Sequence, residues 1–169
     1  DNQLPALKES LVSARGNYKK VISFSSDMLD LARLDAGQTE LDTEPFPLEE
    51  LVHDCVQDFQ IAAMNNQMAL EVNADNRYHL VDIDISHLSR VINNLISNGI
   101  NYALPGTSIE LRLVEAAGRM RFQISNQLNE FHMASLPSDL SRNDPSFKSS
   151  SKVGYGLGLA ICQRILKLH

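Results

Sequence analysis

The chain has 169 residues, 43% of them apolar, enough for one domain with an appended element and too many for a disordered tail. A formal net charge of −6, with Lys and Arg nowhere clustered, excludes the basic face that a nucleic-acid binder needs. No apolar run approaches the roughly 20 residues that cross a bilayer, and no signal peptide is visible.

The first pattern in chain order is an a/d seam. Leu4, Leu7, Leu11, Ala14, Tyr18, Val21, Ser25, Met28 and Ala32 recur in steps of three and four, widened by Ile22 and Leu29. Asp35-Ala36-Gly37 supplies the stop, because Gly accepts the left-handed C-cap. Such a helix leaves its apolar face uncovered, so partner helices come from another copy or from a segment outside this chain. On pattern alone, a coiled-coil linker and a bundle stem fit equally. A polar hinge follows at 38–45. Helical spacing of Leu48, Leu51, Val52, Cys55, Val56 and Phe59 predicts a helix over 48–65, and short strands are expected at 68–72 and 78–81. A second helix runs from Ile85 to Ala103 and ends in the turn chemistry of Leu104-Pro105-Gly106.

Two alternating strands come next, around Ile109, Leu111 and Leu113 and around Met120, Phe122 and Ile124, joined by a hairpin turn at 116–119. Residues 127–153 are rich in Ser, Asn, Asp and Pro, and a last helix begins near Leu157. Cys55 and Cys162 form no CxxC pair and read as small apolar core residues, and the five His show no metal-ligand spacing. A reducing compartment fits.

Two segments carry candidate chemistry. Asn94 and Asn98 stand four apart on one helix face, with Asn101 three further on. Asn is a mediocre helix former, so four between 93 and 101 need a reason. They are either a solvated polar face or a row of amides for a phosphate and Mg²⁺ site, where one carbonyl plus phosphate oxygens suffices. Gly154-Tyr-Gly-Leu-Gly-Leu-Ala-Ile161 then leads into the last helix. Alternate glycines let backbone approach an anion, and a helix start offers free N–H groups. Alone, this pattern is equally a flexible turn.

In this order, with a strand pair between them, the two segments resemble the N box and G2 box of the catalytic ATP-binding domain of bacterial sensor histidine kinases. Asp30-Leu-Ala-Arg-Leu-Asp-Ala-Gly37 is similar to the end of that family's second dimerisation helix, and Glu44-Pro-Phe-Pro-Leu48 to the segment leading into its ATP domain. The resemblance implies an α+β Bergerat sandwich, with a mixed, largely antiparallel sheet and helices on one face. It implies a partial dimerisation and phosphotransfer stem over 1–41 and a catalytic ATP-binding domain over 45–169. ATP and Mg²⁺ are the implied cofactors. Asn98 would ligate Mg²⁺, Asn94 and Asn101 would face the phosphates, and Tyr102 would flank the nucleotide. Gly154, Gly156 and Gly158 would wrap the triphosphate, with Leu157 and Leu159 of the same block beside them. Implied partners are a second copy through the stem and a cognate response regulator. No nucleic acid is expected, and a membrane only through segments outside this chain, as for the cytoplasmic part of an inner-membrane sensor.

The sequence departs from the family pattern in several places. The G1 box, Asp-x-Gly-x-Gly, falls on Asn126-Gln-Leu-Asn-Glu130. Asn126 keeps an acceptor for the adenine amino group but loses the charge, and Leu128 and Glu130 replace both glycines. The Phe-rich lid segment is reduced to Phe147, and Asn101 stands where Lys or Arg is common. The H box with its phosphoacceptor His is found nowhere, so no catalytic side chain is expected here; His53 reads as a surface or packing residue. The chain stops where the family continues through further strands. The leading reading is the ATP-binding part of a kinase that transfers the γ-phosphoryl of ATP to a stem histidine. The alternative is a degenerate, ATP-independent interaction module. A hydrolysing ATPase is disfavoured, because Asn94 cannot act as a general base.

Overall fold

A computed structural model describes residues 3–74, 79–128 and 157–169. Helix α1 covers Gln3–Asp35, and strand β1 (Glu44–Pro47) leads directly into α2 (Leu48–Asn65). Strands β2 (Ala69–Ala74) and β3 (Leu80–Ile83) precede α3 (Ile85–Tyr102), the hairpin β4 (Ser108–Ala116) and β5 (Arg119–Asn126), and α4 (Leu157–Leu168). Order and type follow the hydrophobic periods, with one addition. Residues 44–47 form a strand, antiparallel to β3, where sequence suggested only the end of a hinge. Pro45 and Pro47 hide it, since proline donates nothing to a ladder and sits only at sheet edges. Tyr78, expected in a strand, lies outside the described residues.

The main sheet has the order β2-β4-β5, with β2 parallel and β5 antiparallel to β4. Both central residues of its hairpin turn, Ala117 and Gly118, have positive φ, 54° and 70°, the sense that matches strand twist. Two helices end in the same hydrogen-bond motif. After α1, Gly37 N–H donates to the Leu34 carbonyl and Gln38 N–H to that of Arg33, with Gly37 at φ 66°. After α2, Gln67 takes the left-handed position at φ 58°, and Met68 N–H donates to the Ala63 carbonyl. Gln67 is opaque to sequence reading because a glycine normally marks that position.

Helices α2 and α3 cover one face of the main sheet. Leu51, Val52, Cys55 and Val56 from α2, Ile92, Ile96 and Ile100 from α3, and Ile109, Leu111 and Leu113 from β4 make the main core. Helix α4 lies on the other side of α3 and builds a second core: Val91, Ile161, Cys162 and Ile165 close over Leu34 of α1. The last turns of α1 are therefore covered within the chain. Its upper seam is not, with Leu7, Leu11, Tyr18 and Val21 all exposed.

Polar ties reinforce these junctions. The Arg90 guanidinium reaches Asp30 at 2.7 Å and Asp27 at 2.8 Å, and Arg164 reaches Asp35 at 2.6 Å. Asp84 caps α3 by accepting from His87 N–H at 2.9 Å, and its other oxygen accepts from Asp42 N–H at 3.1 Å. Asp84 N–H donates to His169 Nε2 at 3.1 Å, and His169 Nδ1 lies 3.0 Å from the Ile165 carbonyl. Burial pushes the Asp84 carboxyl up, but hydrogen bonds from the His87 and Asp42 backbone and the His87 ring hold it below its ordinary range. Glu49 behaves alike: burial raises it, and the His79 ring and backbone N–H together lower it further.

Candidate functional site

Helix α3 has two buried sides, so its amides fall where neither core claims the surface. Asn94 and Asn98 are half-buried, Asn101 is exposed with its Nδ2 3.4 Å from Ser97 Oγ, and Tyr102 is half-buried. Gly158 meets this row at Asn94. A methyl group added at Gly158 would sit 3.3 Å from Asn94 Oδ1 and 3.5 Å from its Cγ, so the first turn of α4 lies directly over Asn94. Only a residue without Cβ allows that approach at ordinary contact distance. Leu157 joins the second core beside it, and Leu159 is exposed. Gly154 and Gly156 lie outside the described residues.

Cys162 lies one turn beyond Gly158 on α4. Burial pushes its thiol up, and a hydrogen bond with Asn94 offsets part of this. The thiol also lies 3.8 Å from the Val91 carbonyl. Both cysteines are buried and free, as their sequence context indicated, and no cluster of His, Cys, Asp and Glu able to hold a metal exists among the described residues. His53 is exposed on α2.

Asn126 closes β5. It pairs with Ile109, whose neighbour across α3 is Gly99, and Gly99 also abuts Ile124 on the same face as Asn126. Asn126 thus faces the helix layer beside the last turns of α3. The segments following both elements are tied by Leu104 N–H to the Gln127 carbonyl at 2.8 Å and by an Ala103–Leu128 bridge. The Nδ2 of Asn126 is buried without a hydrogen-bond partner among the described residues, and so is Oδ1 of Asn93. Asn93 escaped sequence reasoning because it precedes the spaced amides; only its burial marks it. Among the described residues, an open groove of about 540 Å³ runs between α1 and α3 past Asp27, Asp30 and Arg90, and includes none of the amides above.

The family model for histidine kinase-, DNA gyrase B- and HSP90-like ATPases matches residues 83–169, just over half of the chain and all of the α3-to-α4 region. The chain belongs to this family. Among its relatives, the circadian input-output histidine kinase CikA of Synechococcus elongatus is 26% identical over 96% of this chain and 22% of its own length. The sensor protein KdpD of Clostridium acetobutylicum is 28% identical over 88% of this chain and 17% of its own. The chain therefore spans about a fifth of these relatives. Two solved structures share the fold at 20% identity over 95% of this chain. Acinetobacter baumannii histidine kinase AdeS has a TM-score of 0.71 with 74% of that chain covered, and full-length ShkA in complex with AMPPNP has 0.72 with 34% covered. The chain thus carries a domain of this ATPase family, similar along most of its length to sensor histidine kinases, with the expected mixed sheet and α+β architecture. No described helix is long and apolar enough to cross a membrane.

Proposed function

We propose that residues 45–169 bind Mg-ATP between α3 and the glycine block, as the catalytic part of a two-component kinase whose stem ends in residues 1–41. The observation that supports this reading is the apposition of Gly158 and Asn94, one residue from each of the two segments that resemble the family's boxes. In this reading Asn98 ligates Mg²⁺ through its carbonyl, and Asn94 and Asn101 face the phosphates. Tyr102 flanks the nucleotide, with Leu157 and Leu159 beside the glycines. Gly154, Gly156 and Gly158 give backbone access to the triphosphate. Asn126 meets the base, and its unpartnered amide suits that role. The neighbouring structure of ShkA holds AMPPNP, an adenine nucleotide analogue.

Bound ATP supplies the phosphoryl group, and this chain positions it and neutralises its charge. A histidine on the dimer stem outside these residues accepts it, and a response regulator takes it next. The exposed upper seam of α1 fits a homodimer of such stems. The whole protein is then a membrane sensor with this part on its cytoplasmic side, as its relation to sensor proteins suggests. A second reading, an ATP-independent interaction module, draws on Leu128, which is bridged to Ala103 where the family carries a glycine. Nucleotide titration separates the two. Mg-ATP is expected to raise the melting temperature of the chain, and Asn98→Ala to remove that rise while the domain stays folded. A wild-type chain unmoved by millimolar Mg-ATP leaves only the module.

A further inference from the structure

We infer that Asn126 makes the base site tolerant at purine C6, so that it takes 6-oxopurine nucleotides as well as adenine ones. The inference rests on the nucleotide reading above and concerns which base that site accepts. Asn126 is fixed: it pairs with Ile109 in the sheet, and the next residues are tied to the end of α3 by the Leu104–Gln127 hydrogen bond and the Ala103–Leu128 bridge. Its Nδ2 is nevertheless buried without a partner among the described residues. A buried donor left unpaired is unfavourable, so an incoming acceptor there gains more than it would at the surface.

The chemistry of the carboxamide sets what that acceptor belongs to. The side chain carries a donor and an acceptor side by side. On its N1 edge adenine presents the complementary pair, an N6 amino donor next to the N1 acceptor. A 6-oxopurine presents the reverse pair, the O6 acceptor next to the N1–H donor. Turning the carboxamide over by 180° exchanges its oxygen and nitrogen in nearly the same volume, so one side chain complements either edge. A carboxylate at this position offers acceptors only, and so favours the amino group of adenine and repels O6.

Inosine triphosphate differs from ATP only at this edge and isolates the effect. Displacement of a fluorescent trinitrophenyl-ATP from the whole chain, with Mg²⁺ present, gives both affinities. Wild type is expected to bind ATP and inosine triphosphate within about fivefold of each other. Asn126→Asp is expected to widen that ratio in favour of ATP by on the order of tenfold or more, the scale of one mismatched bidentate contact. Asn126→Leu, which keeps the volume without the amide, is expected to weaken both nucleotides by similar factors, with circular dichroism confirming the fold. Tight ATP binding by wild type with inosine triphosphate more than about thirtyfold weaker overturns the inference and leaves the nucleotide reading standing. A ratio unchanged in a folded Asn126→Asp chain does the same. No binding of either nucleotide by wild type overturns both.

Discussion

Replacing Gly158 by Ala tests the site without attacking the fold. The added methyl would stand 3.3 Å from Asn94 Oδ1, closer than ordinary contact, so the Asn94 carboxamide must shift by a few tenths of an ångström. Turning a side chain about 30° off its rotamer costs about 0.5–1.5 kcal/mol. Alanine in place of glycine in a helix returns up to about 1 kcal/mol, so the two nearly cancel in folding. At this size of chain 1 kcal/mol moves Tm by about 2–4 °C, and the ligand-free Tm is expected to stay within about that range. Binding has no such compensation. A misplaced amide loses about one hydrogen bond, roughly 0.5–1.5 kcal/mol or up to about tenfold in affinity. At ATP concentrations near a hundred times the wild-type Kd, binding stabilises by about 2.7 kcal/mol; a tenfold weaker site leaves about 1.4 kcal/mol. Thermal melts with and without Mg-ATP should show the nucleotide-induced rise roughly halved. Unchanged ATP affinity, or a ligand-free Tm lowered by about 5 °C or more, would refute the reasoning and make Gly158 a packing residue only.

Other perturbations bear on the frame around the site. Asp84→Ala removes the cap of α3 and should destabilise by about 1 kcal/mol in urea unfolding at neutral pH. Asp84 and Glu49 titrate below their ordinary values of 3.8 and 4.5, so the unfolded chain takes up protons first. Their contribution is full above those values and is lost as pH falls through the lower folded ones; acid titration of wild type against Asp84→Asn should show a shallower loss in the variant. Arg90→Ala breaks two half-exposed ion pairs worth about 0.2–1 kcal/mol each, and the difference from wild type should shrink in high salt. Ile165→Ala, at a fully buried site in the second core, should cost about 2–5 kcal/mol irrespective of salt.

Periodicity carried much of the fold, because α2, α3 and the β4–β5 hairpin each bury one regular face. It failed where the local signal opposes the outcome: the prolines of β1 and the left-handed Gln67. The second core was also invisible. An apolar stripe on α1 says that something must cover it, and only the three-dimensional path of α4 shows that Leu34 is covered from within. The meeting of Asn94 with the glycine block was legible as spacing plus resemblance. The unpartnered groups of Asn93 and Asn126 were not, since burial of a single polar atom depends on neighbours distant in sequence.

Helix α3 is a shared wall between two rooms. Ile92, Ile96 and Ile100 face one, and Val91 faces the other. Rolling it to suit an arriving molecule would wet apolar surface on one flank or the other, so the amide row behaves as a fixed template. Adjustment must come from the elements leaning on it. Of those, α4 also touches Asp35 and Leu34, so its glycine end and the last turn of α1 are joined through one helix.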